Sequence, residues 1–359
     1  MQFFDKIMNT SILEYLECPL CHGELSLKST KKIKNEIITG TFSCKNCHEQ
    51  FPIKNKIPRF VKDTAKNFVK TEDSFSAKWR KHHSNHQEKD WINFQQKWFF
   101  DRFGWNTIKQ FKNFMKTKKF VLEAGTGIGN TANLLSINTS STVFAIDASE
   151  SIDFALKKYG KKSNIHFFQA DLRKLPFKKK FFDYILSDQV LHHTKNTKTS
   201  FKYLTKYLNK SGEISIYVYN KKAPVREFSD DHIRETTVNM SFDDCMKFSK
   251  DMAILGKSLS KLNKKITIPK DIPVLGIKSG TYDVQRFIYW HFLKCFWDPS
   301  DNLERSVGVN FDWYSPKFAY RHTPDEVKTW YNETKIKITH FKEIESGISV
   351  TGINTINKK

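Results

Sequence analysis

Four of the six cysteines stand in two pairs whose spacing is typical of a metal site. Cys18 and Cys21 form one Cys-x-x-Cys element, and Cys44 and Cys47 form a second after 22 intervening residues. Each element turns two sulfurs toward one point, so two elements complete a tetrahedron around one ion. We therefore predict a closed, structural zinc site with these four ligands. Iron bound by the same four sulfurs is the alternative.

The segment around these cysteines is too short to hold a hydrophobic core alone, so the metal should supply much of its folding free energy. Glu24–Lys28 and Glu36–Ser43 have the pattern of two hairpin strands, which together with the cysteine pairs predicts a zinc ribbon. His22 and His48 each follow the second cysteine of a pair, and we do not expect them to be ligands.

A second candidate site is a glycine-rich turn after the apolar run Phe120–Leu122. Gly125, Gly127 and Gly129 alternate with other residues before a helix-compatible segment begins at Asn130. Glycines let the backbone approach a ligand closely, and the following helix N-terminus favours polar or anionic groups. A dinucleotide fingerprint would place a glycine at the position of Asn130, so the spacing does not match that class.

Acidic residues end three predicted strands along this part of the chain. Glu123, Asp147 and Asp171 each follow an apolar run, and two more such runs lie at Phe182–His193 and Glu213–Tyr219. In doubly wound α/β folds the ligand lies outside the carboxyl ends of parallel strands. One shared ligand at that edge would explain all three acids.

Residues 118–220 resemble the class I S-adenosylmethionine (SAM) dependent methyltransferases. The resemblance rests on VLEAGTGIG at 121–129, the acids Asp147 and Asp171, and FDYILSDQVLHH at 182–193, which occur in that family's order and spacing. It implies an α/β fold with a doubly wound, mostly parallel seven-stranded sheet, and SAM as the cofactor. It implies nothing definite about the acceptor.

The same resemblance assigns residues to the cofactor. The glycine turn would receive the methionine portion, Asp147 would accept hydrogen bonds from the ribose hydroxyls, and Asp171 would contact the adenine amino group. The cofactor-binding set is Glu123, Gly125, Thr126, Gly127, Gly129, Asp147, Ala148, Asp171, Leu172 and Asp188.

Candidate catalytic residues stand at the end of the fourth strand. Methyl transfer is an in-line displacement in which positioning supplies much of the acceleration, and a base is needed only if the acceptor loses a proton. Asp188, His192 and His193 are the candidates for that base. Ser187–Val190 replaces the polar-Pro-Pro-aromatic motif of the amide and base methylases, which argues against adenine-N6 or glutamine-N5 methylation.

The cysteine-containing segment, over residues 13–60, resembles the small zinc-ribbon proteins that activate tRNA and translation-factor methyltransferases. Cys18-Pro-Leu-Cys21 and the closing run Phe51–Phe60 carry this resemblance. It departs from those proteins in one respect, because here the ribbon is fused to its enzyme.

We predict five segments. Residues 1–62 form the zinc ribbon, 63–117 an aromatic-rich helical cover, 118–220 the SAM-binding core, 221–322 a helical insertion, and 323–359 the last helix and closing hairpin of the core. The aromatic residues of the second segment recur at helical spacing, and we expect them to pack on the core or to cover the SAM pocket. They are Phe75, Trp79, Trp91, Phe94, Trp98, Phe99, Phe103 and Trp105.

The insertion is predicted to contain helices at Ser241–Leu262 and Thr281–Trp297, with a loop at Asp312–Pro316. A helix that is apolar nearly all round, as Thr281–Trp297 would be, is buried or lines a cleft. We interpret the insertion as a substrate-selecting lid. An extra structural layer or a dimer face is the alternative.

Four side chains of the insertion are candidates for contacting the acceptor. Tyr282, Arg286, Tyr289 and Trp313 combine apolar surroundings with polar tips, and we expect them to line an enclosed pocket facing Asp188 and His192. Arg286 is a candidate anchor for an anionic acceptor, with an internal salt bridge as its alternative role.

The composition bounds the remaining choices. The net charge is +22, yet only nine of the 60 basic residues are arginine, which indicates a coding bias toward lysine as much as selection for phosphate contacts. No apolar run approaches the roughly 18 residues of a membrane helix, and the start lacks a secretory pattern, so we expect a cytoplasmic protein without a membrane span.

These observations lead to one expected function and two alternatives. We expect a methyltransferase that acts on a small metabolite, a sugar or a glycan-linked group. The first alternative is an RNA methyltransferase that uses the ribbon and the basic charge to bind its substrate. The second is a binding subunit with this fold that no longer catalyses, although the intact glycines and acids argue against it.

Overall fold

The chain divides into two compact units. The computed structural model describes residues 10–33, 36–61, 89–137, 139–300 and 302–355. The first unit comprises Met1–Val218, Pro324–Glu343 and Ile348–Lys359. The second unit comprises Tyr219–Thr323 and Ile344–Gly347.

The N-terminal part of the first unit is a small antiparallel sheet, as the hairpin pattern predicts. After a 3-10 helix at Thr10–Tyr15, the strands are β1 (Leu25–Ile33), β2 (Glu36–Cys44), β3 (Gln50–Lys54) and β4 (Ile57–Pro58), paired in that order. Both predicted hairpin strands are present, and β1 is longer than expected.

The ribbon and the central sheet of the first unit share one hydrophobic core. Leu16 forms an antiparallel bridge with Phe177, and Arg59 forms a parallel bridge with Gln169 on the outermost strand of the sheet. The Phe60 N–H donates to the Gln169 carbonyl at 2.8 Å, and the Phe60 ring lies against Phe168. The ribbon therefore covers an edge of the sheet with backbone as well as side-chain contacts.

The central sheet has the predicted α/β topology. Its strands are β5 (Phe120–Ala124), β6 (Thr142–Asp147), β7 (Ile165–Gln169), β8 (Phe182–Asp188), β9 (Leu208–Asn220), β13 (Ile336–Ile344) and β14 (Gly347–Asn354). They follow the order β13-β14-β9-β8-β5-β6-β7, and strands β5 to β9 pair in parallel. The seven predicted strands are all present, and the two-residue strand β12 (Arg321–His322) adds an eighth beside the end of β9.

Helices of the first unit flank this sheet. They are α1 (Lys89–Arg102), α2 (Ile108–Met115), α3 (Asn130–Ile137), α4 (Ser151–Tyr159), α5 (Thr197–Thr205) and α10 (Pro324–Glu333), with a 3-10 helix at Leu191–His193. Polar side chains begin two of them, since Thr107 accepts from the Gln110 N–H and Asn196 from the Thr199 N–H.

The aromatic residues before the sheet act mainly as packing. Phe99, Phe103 and Trp105 are buried and pack against one another and against Phe111, with ring centroids 5.0–6.1 Å apart. Among the other predicted aromatics, Phe75 and Trp79 lie outside the described residues, as does the side chain of Trp91.

The second unit is mostly helical. Its elements are α6 (Pro224–Thr237), α7 (Phe242–Lys261), β10 (Lys265–Ile268), a 3-10 helix (Pro273–Leu275), β11 (Gly280–Asp283), α8 (Val284–His291) and α9 (Leu303–Tyr314). The predicted helix at Ser241–Leu262 is confirmed, and Ser241 accepts from the Asp244 N–H as its cap.

Two expectations for this unit are wrong. The predicted helix at Thr281–Trp297 is shorter, because Thr281 and Tyr282 pair with β10 and Asp283 then caps α8 through the Arg286 N–H. The predicted loop at Asp312–Pro316 instead begins as the last turn of α9. In both places tertiary pairing and packing override the local pattern.

Candidate functional site

The glycine turn folds back over the neighbouring strand. The N–H groups of Gly125 and Thr126 both donate to the Ile146 carbonyl, at 2.9 and 2.8 Å. Gly125 has φ +95°, and a Cβ there would lie 2.3 Å from Val190 Cγ2. Both the backbone conformation and the space therefore require glycine at this position.

The Asp147 carboxylate holds the turn from the end of β6. Its Oδ2 accepts from the Gly127 N–H at 2.8 Å, and its Oδ1 accepts from the Ser149 N–H and hydroxyl at 2.9 and 2.6 Å. Asp147 thus fixes the two loops that leave β5 and β6. Its assignment to the ribose hydroxyls stays a prediction.

Glu123 is buried beneath the turn. Burial raises the pKa of its carboxyl to about 8, and the charges of Asp188 and Asp147 raise this pKa further, against the hydrogen bond donated by the Thr126 hydroxyl at 2.5 Å. Acids from three parallel strands are thus close enough to influence one another. At neutral pH the Glu123 carboxyl is largely protonated and can donate as well as accept a hydrogen bond.

The third predicted acid of the series, Asp171, is held by a neighbour in sequence. Its carboxylate accepts from the backbone N–H of Arg173 at 2.8 Å and from the guanidinium at 2.6–3.1 Å. Leu172 is buried beside it. The geometry places Asp171 at the end of β7, and its contact with an adenine stays a prediction.

Asp188 has a partner that the sequence reasoning missed. Arg102 of α1 donates to both Asp188 oxygens, at 2.6 and 2.9 Å, and only 1% of its side chain is exposed. The guanidinium carbon lies 3.6 Å from the centroid of the Trp98 ring and 4.6 Å from that of Tyr217. Trp98 and Arg102 stand four residues apart on one helix, a spacing that could have signalled this cation–π pair.

The two candidate histidines lie in the 3-10 helix that follows Asp188. His192 is fully buried, and its ring centroid lies 4.3 Å from that of His193. Val190, which contacts the glycine turn, comes directly before this helix. The histidines are therefore positioned by the same segment that closes over Gly125, and their catalytic role stays a prediction.

A second missed residue connects the ribbon to this site. Arg59 donates to both carboxylate oxygens of Asp153 in α4, at 2.6 and 2.9 Å, and to the Gln169 side-chain oxygen at 3.1 Å. The amide of Gln169 then donates to the carbonyl of Ala148 at 3.1 Å. A continuous hydrogen-bond path therefore runs from the ribbon to the loop after Asp147.

The four predicted cysteines converge. Their sulfurs lie within 4.8 Å of one another, with Cys18 and Cys47 at 3.7 Å and Cys21 and Cys44 at 3.4 Å. A tetrahedron with Zn–S bonds of about 2.3 Å has edges of about 3.8 Å, so the sulfurs fit a single zinc ion.

The two cysteine elements have the same backbone geometry. His22 and His48, the residues after each pair, both have a left-handed conformation with φ of 60° and 58°. Their N–H groups donate to the carbonyls of Cys18 and Cys44, which closes each turn. The imidazole of His22 lies 2.6 Å from a Glu17 carboxylate oxygen, in agreement with its expected role outside the ligand set.

The predicted acceptor residues all lie in the second unit. Tyr289 and Trp313 are 5% and 3% exposed, and the Arg286 guanidinium lies 5.6 Å from the centroid of the Tyr289 ring. Tyr282 contacts other residues. Its hydroxyl donates to the Lys278 carbonyl, and its ring lies against the ring of Phe287. Their assignment to the acceptor stays a prediction.

Two family profiles match the chain in the regions described above. A profile for a methyltransferase domain matches residues 122–216, and a profile for a Trm112p-like protein matches residues 10–55. No curated protein matches the chain significantly in sequence.

Solved structures with the same kind of fold have low identity to the chain. A SAM-dependent methyltransferase from Aquifex aeolicus is 13% identical, with 71% of this chain and 92% of that one covered and a TM-score of 0.37. Magnesium protoporphyrin IX methyltransferase from Synechocystis PCC 6803 is 11% identical, with coverages of 80% and 99% and a TM-score of 0.44. The complex of the Haloferax volcanii Trm112 methyltransferase activator and a methyltransferase is 12% identical, with coverages of 74% and 96% and a TM-score of 0.38.

None of the helices in the described part of the chain combines the length and apolar character needed to cross a membrane.

The sheet order, the glycine turn and the profile match identify the main domain, and the converging cysteines identify the ribbon. The chain thus contains a methyltransferase domain, and a Trm112p-like ribbon with four cysteines suited to zinc precedes it.

Proposed function

We propose that this enzyme methylates a small molecule or a glycan-linked group. The supporting observation is the burial of Tyr289 and Trp313, which the second unit surrounds with cationic side chains, among them Arg226 and Lys294. Small-ligand sites combine apolar walls with a few fixed polar groups. An RNA-binding surface would instead present exposed aromatics for base stacking along a basic groove.

The second unit is the proposed acceptor-selecting element. It begins at Tyr219, one residue before the end of β9, and β5, β8 and β9 are parallel strands whose carboxyl ends lie at one edge of the sheet. Ligands of doubly wound folds bind outside that edge.

In the proposed mechanism the protein mainly positions the reactants. SAM, when bound, supplies a methyl group on a positively charged sulfur. The turn at Gly125–Gly129 and the carboxylate of Asp147 would hold it by hydrogen bonds, and Asp171 would orient its far end. Arg102 keeps the Asp188 carboxylate in one orientation, so that it can serve as a fixed acceptor at the end of β8.

A proton must leave the acceptor if the methylated atom is a hydroxyl oxygen or a protonated nitrogen. His192 and His193 are the proposed bases, because a neutral imidazole can take a proton near neutral pH. Asp188 is less suited to this role, since both of its carboxylate oxygens already accept hydrogen bonds from Arg102.

RNA methylation is the second candidate. The net charge of +22 and the Trm112p-like ribbon favour it. One surface of the ribbon already packs on the central sheet through Arg59 and Phe60, so that surface is not free for nucleic acid.

The test is methyl transfer from SAM labelled on its methyl group. The purified enzyme is incubated separately with pooled small metabolites, with nucleotide sugars and glycans, and with total RNA, and the label is followed into each pool. We expect label in a small-molecule or glycan pool, and none when Asp147 is replaced by Ala. Transfer to RNA alone, or tight RNA binding that survives physiological salt, would replace this proposal with the RNA function.

A further inference from the structure

Six cationic side chains of the second unit gather around the rings of Tyr289 and Trp313. The Lys294 ammonium lies 4.9 Å from the Trp313 centroid and 5.2 Å from that of Tyr289, and the Arg226 guanidinium lies 5.3 and 5.0 Å from them. Lys222 and Arg321 lie within 6 Å of the Trp313 centroid, Arg286 lies within 6 Å of the Tyr289 centroid, and Arg234 donates to the Trp313 carbonyl. We call these six residues and two rings the Trp313 cluster.

Among the described residues, the buried cations of this cluster outnumber the buried carboxylates that contact it. Asp230 pairs with Arg226 at 2.5 Å, while Glu227 and Asp231 both pair with Arg321 at 2.9 and 2.5 Å. Arg226, Arg234 and Lys294 are buried, whereas Asp230 is the one buried carboxylate in contact with the cluster, so two buried positive charges are unmatched among the described residues. Buried charges are normally paired, so this surplus indicates a missing anion.

Lys294 is the clearest case of an unbalanced charge. Its side chain is buried, with 5% of the residue exposed, and its hydrogen-bond partner among the described residues is the Tyr289 hydroxyl at 3.2 Å. An ammonium has three N–H donors. Contact with the faces of Tyr289 and Trp313 stabilises the cation but supplies no negative charge.

Two more buried donors in the cluster lack an acceptor within the described part of the chain. These are Arg226 Nη2 and Trp313 Nε1. Asp230 Oδ1 is also without a partner, and a small rotation could pair it with Arg226 Nη2. That rotation would leave Trp313 Nε1 and the spare donors of Lys294 as they are.

The surplus charge also acts on Lys222 at the edge of the cluster. Burial lowers the pKa of its ammonium to about 7, and repulsion from Arg226 and Lys294 contributes to that shift. A bound anion would offset this repulsion, so the Lys222 ammonium would hold its proton more firmly in the bound state.

We propose that the Trp313 cluster binds the phosphate group of the methyl acceptor. Arg226 of α6, Trp313 of α9 and Lys294 of the segment between α8 and α9 offer N–H donors from three parts of the unit, which suits the three oxygens of a phosphate better than the two of a carboxylate. A phosphate dianion would also balance the surplus of two buried charges. This inference rests on the proposed function, and it narrows the acceptor to a phosphorylated small molecule or a phosphate-linked glycan.

The test measures phosphate binding without catalysis, so its failure would leave methyl transfer to an uncharged acceptor standing. The full chain is titrated with inorganic phosphate at constant ionic strength, with chloride as the reference salt, and its melting temperature and the phosphorus NMR signal are followed. We expect saturable binding and a melting temperature that rises with phosphate but not with chloride.

The variant Lys294→Met keeps the length of the side chain and removes the charge. Without phosphate it should melt at the same temperature as the parent or higher, because a buried unbalanced charge is replaced by an apolar group. With phosphate it should bind at least about tenfold more weakly, since one charged hydrogen bond is lost. Arg286→Gln, at a half-buried position of the same cluster, should also weaken phosphate binding.

The matched control is Lys257→Met. Lys257 lies 5.0 Å from the Trp297 ring centroid in the same unit, so it has a comparable aromatic contact outside the cluster. The control should bind phosphate like the parent. The proposal is overturned if the parent responds equally to phosphate and chloride, or if Lys294→Met and Arg286→Gln both keep the parent's phosphate affinity.

Discussion

Replacing Gly125 with alanine tests the reasoning about the glycine turn most directly. The added Cβ would lie 2.3 Å from Val190 Cγ2. At φ +95° an L-residue is strained by about 1–2 kcal/mol, and overpacking typically costs about 1–3 kcal/mol more. We therefore expect Gly125→Ala to lower the free energy of unfolding by roughly 2–5 kcal/mol, the sum of these two costs.

The two contributions can be separated by also replacing Val190 with glycine, because the Val190 Cβ alone would still lie 2.9 Å from the added Cβ. In the Val190→Gly background the added Cβ has space, so Gly125→Ala should cost only the backbone part, about 1–2 kcal/mol. The double variant should thus be about 1–3 kcal/mol more stable than the sum of the two single effects would give.

The assays are urea unfolding of all four proteins and calorimetric titration with S-adenosylhomocysteine. Affinity for this ligand should fall in Gly125→Ala and recover in part in the double variant. Each loss of about 1.4 kcal/mol in binding free energy raises the dissociation constant tenfold. Equal stability of Gly125→Ala and the parent, or purely additive effects of the two substitutions, would refute the close contact on which the reasoning depends.

The remaining predictions concern the metal, two arginine links and one buried acid. Elemental analysis should find one zinc per chain, and Cys44→Ser should abolish it and destabilise the first unit, because ribbon and sheet share a core. Arg102→Met should lower the free energy of unfolding by about 3–5 kcal/mol in urea, since it leaves Asp188 charged and unpaired. Arg59→Met should weaken S-adenosylhomocysteine binding while zinc content stays unchanged. Stability should fall as pH rises from about 5 to about 8, because the folded pKa of Glu123 is raised, and Glu123→Gln should remove this fall.

Three of these predictions have a further comparison that could contradict them. Cys245→Ser, at a buried cysteine outside the metal site, should keep the zinc. Asp188→Asn added to Arg102→Met should recover part of the lost stability, and failure to do so would mean that the ion pair is not the cause. A pH profile that is identical in Glu123→Gln and the parent would show that another group titrates.

The sequence was sufficient to predict the elements whose signal is local. The cysteine pairs predict the four converging sulfurs, and Glu123 and Asp147 at the ends of neighbouring strands predict that their carboxyl groups approach each other. These predictions succeed because turns and strand ends are determined by residues that are adjacent in the sequence.

The missed features depend on partners that are distant along the chain. Arg102 and Asp188 are separated by 86 residues, and Arg59 and Asp153 by 94. The residues next to an arginine in the sequence do not indicate which carboxylate it will pair with in the fold. The short helix α8 was mispredicted for a similar reason, since pairing of Thr281 with Thr267 in the β10–β11 hairpin decides where the helix begins.

The ribbon's contact with the outermost strand β7 has a consequence for the life of the protein in the cell. An exposed strand edge invites pairing with other chains, and here the Arg59–Gln169 bridge blocks the end of that edge. Because the ribbon and the methyltransferase domain are one polypeptide, they are always made in equal amounts and cannot dissociate on dilution. Conversely, zinc starvation would unfold the ribbon and uncover β7, so the cell would lose the whole enzyme to aggregation or proteolysis, with no intact catalytic subunit left to reactivate.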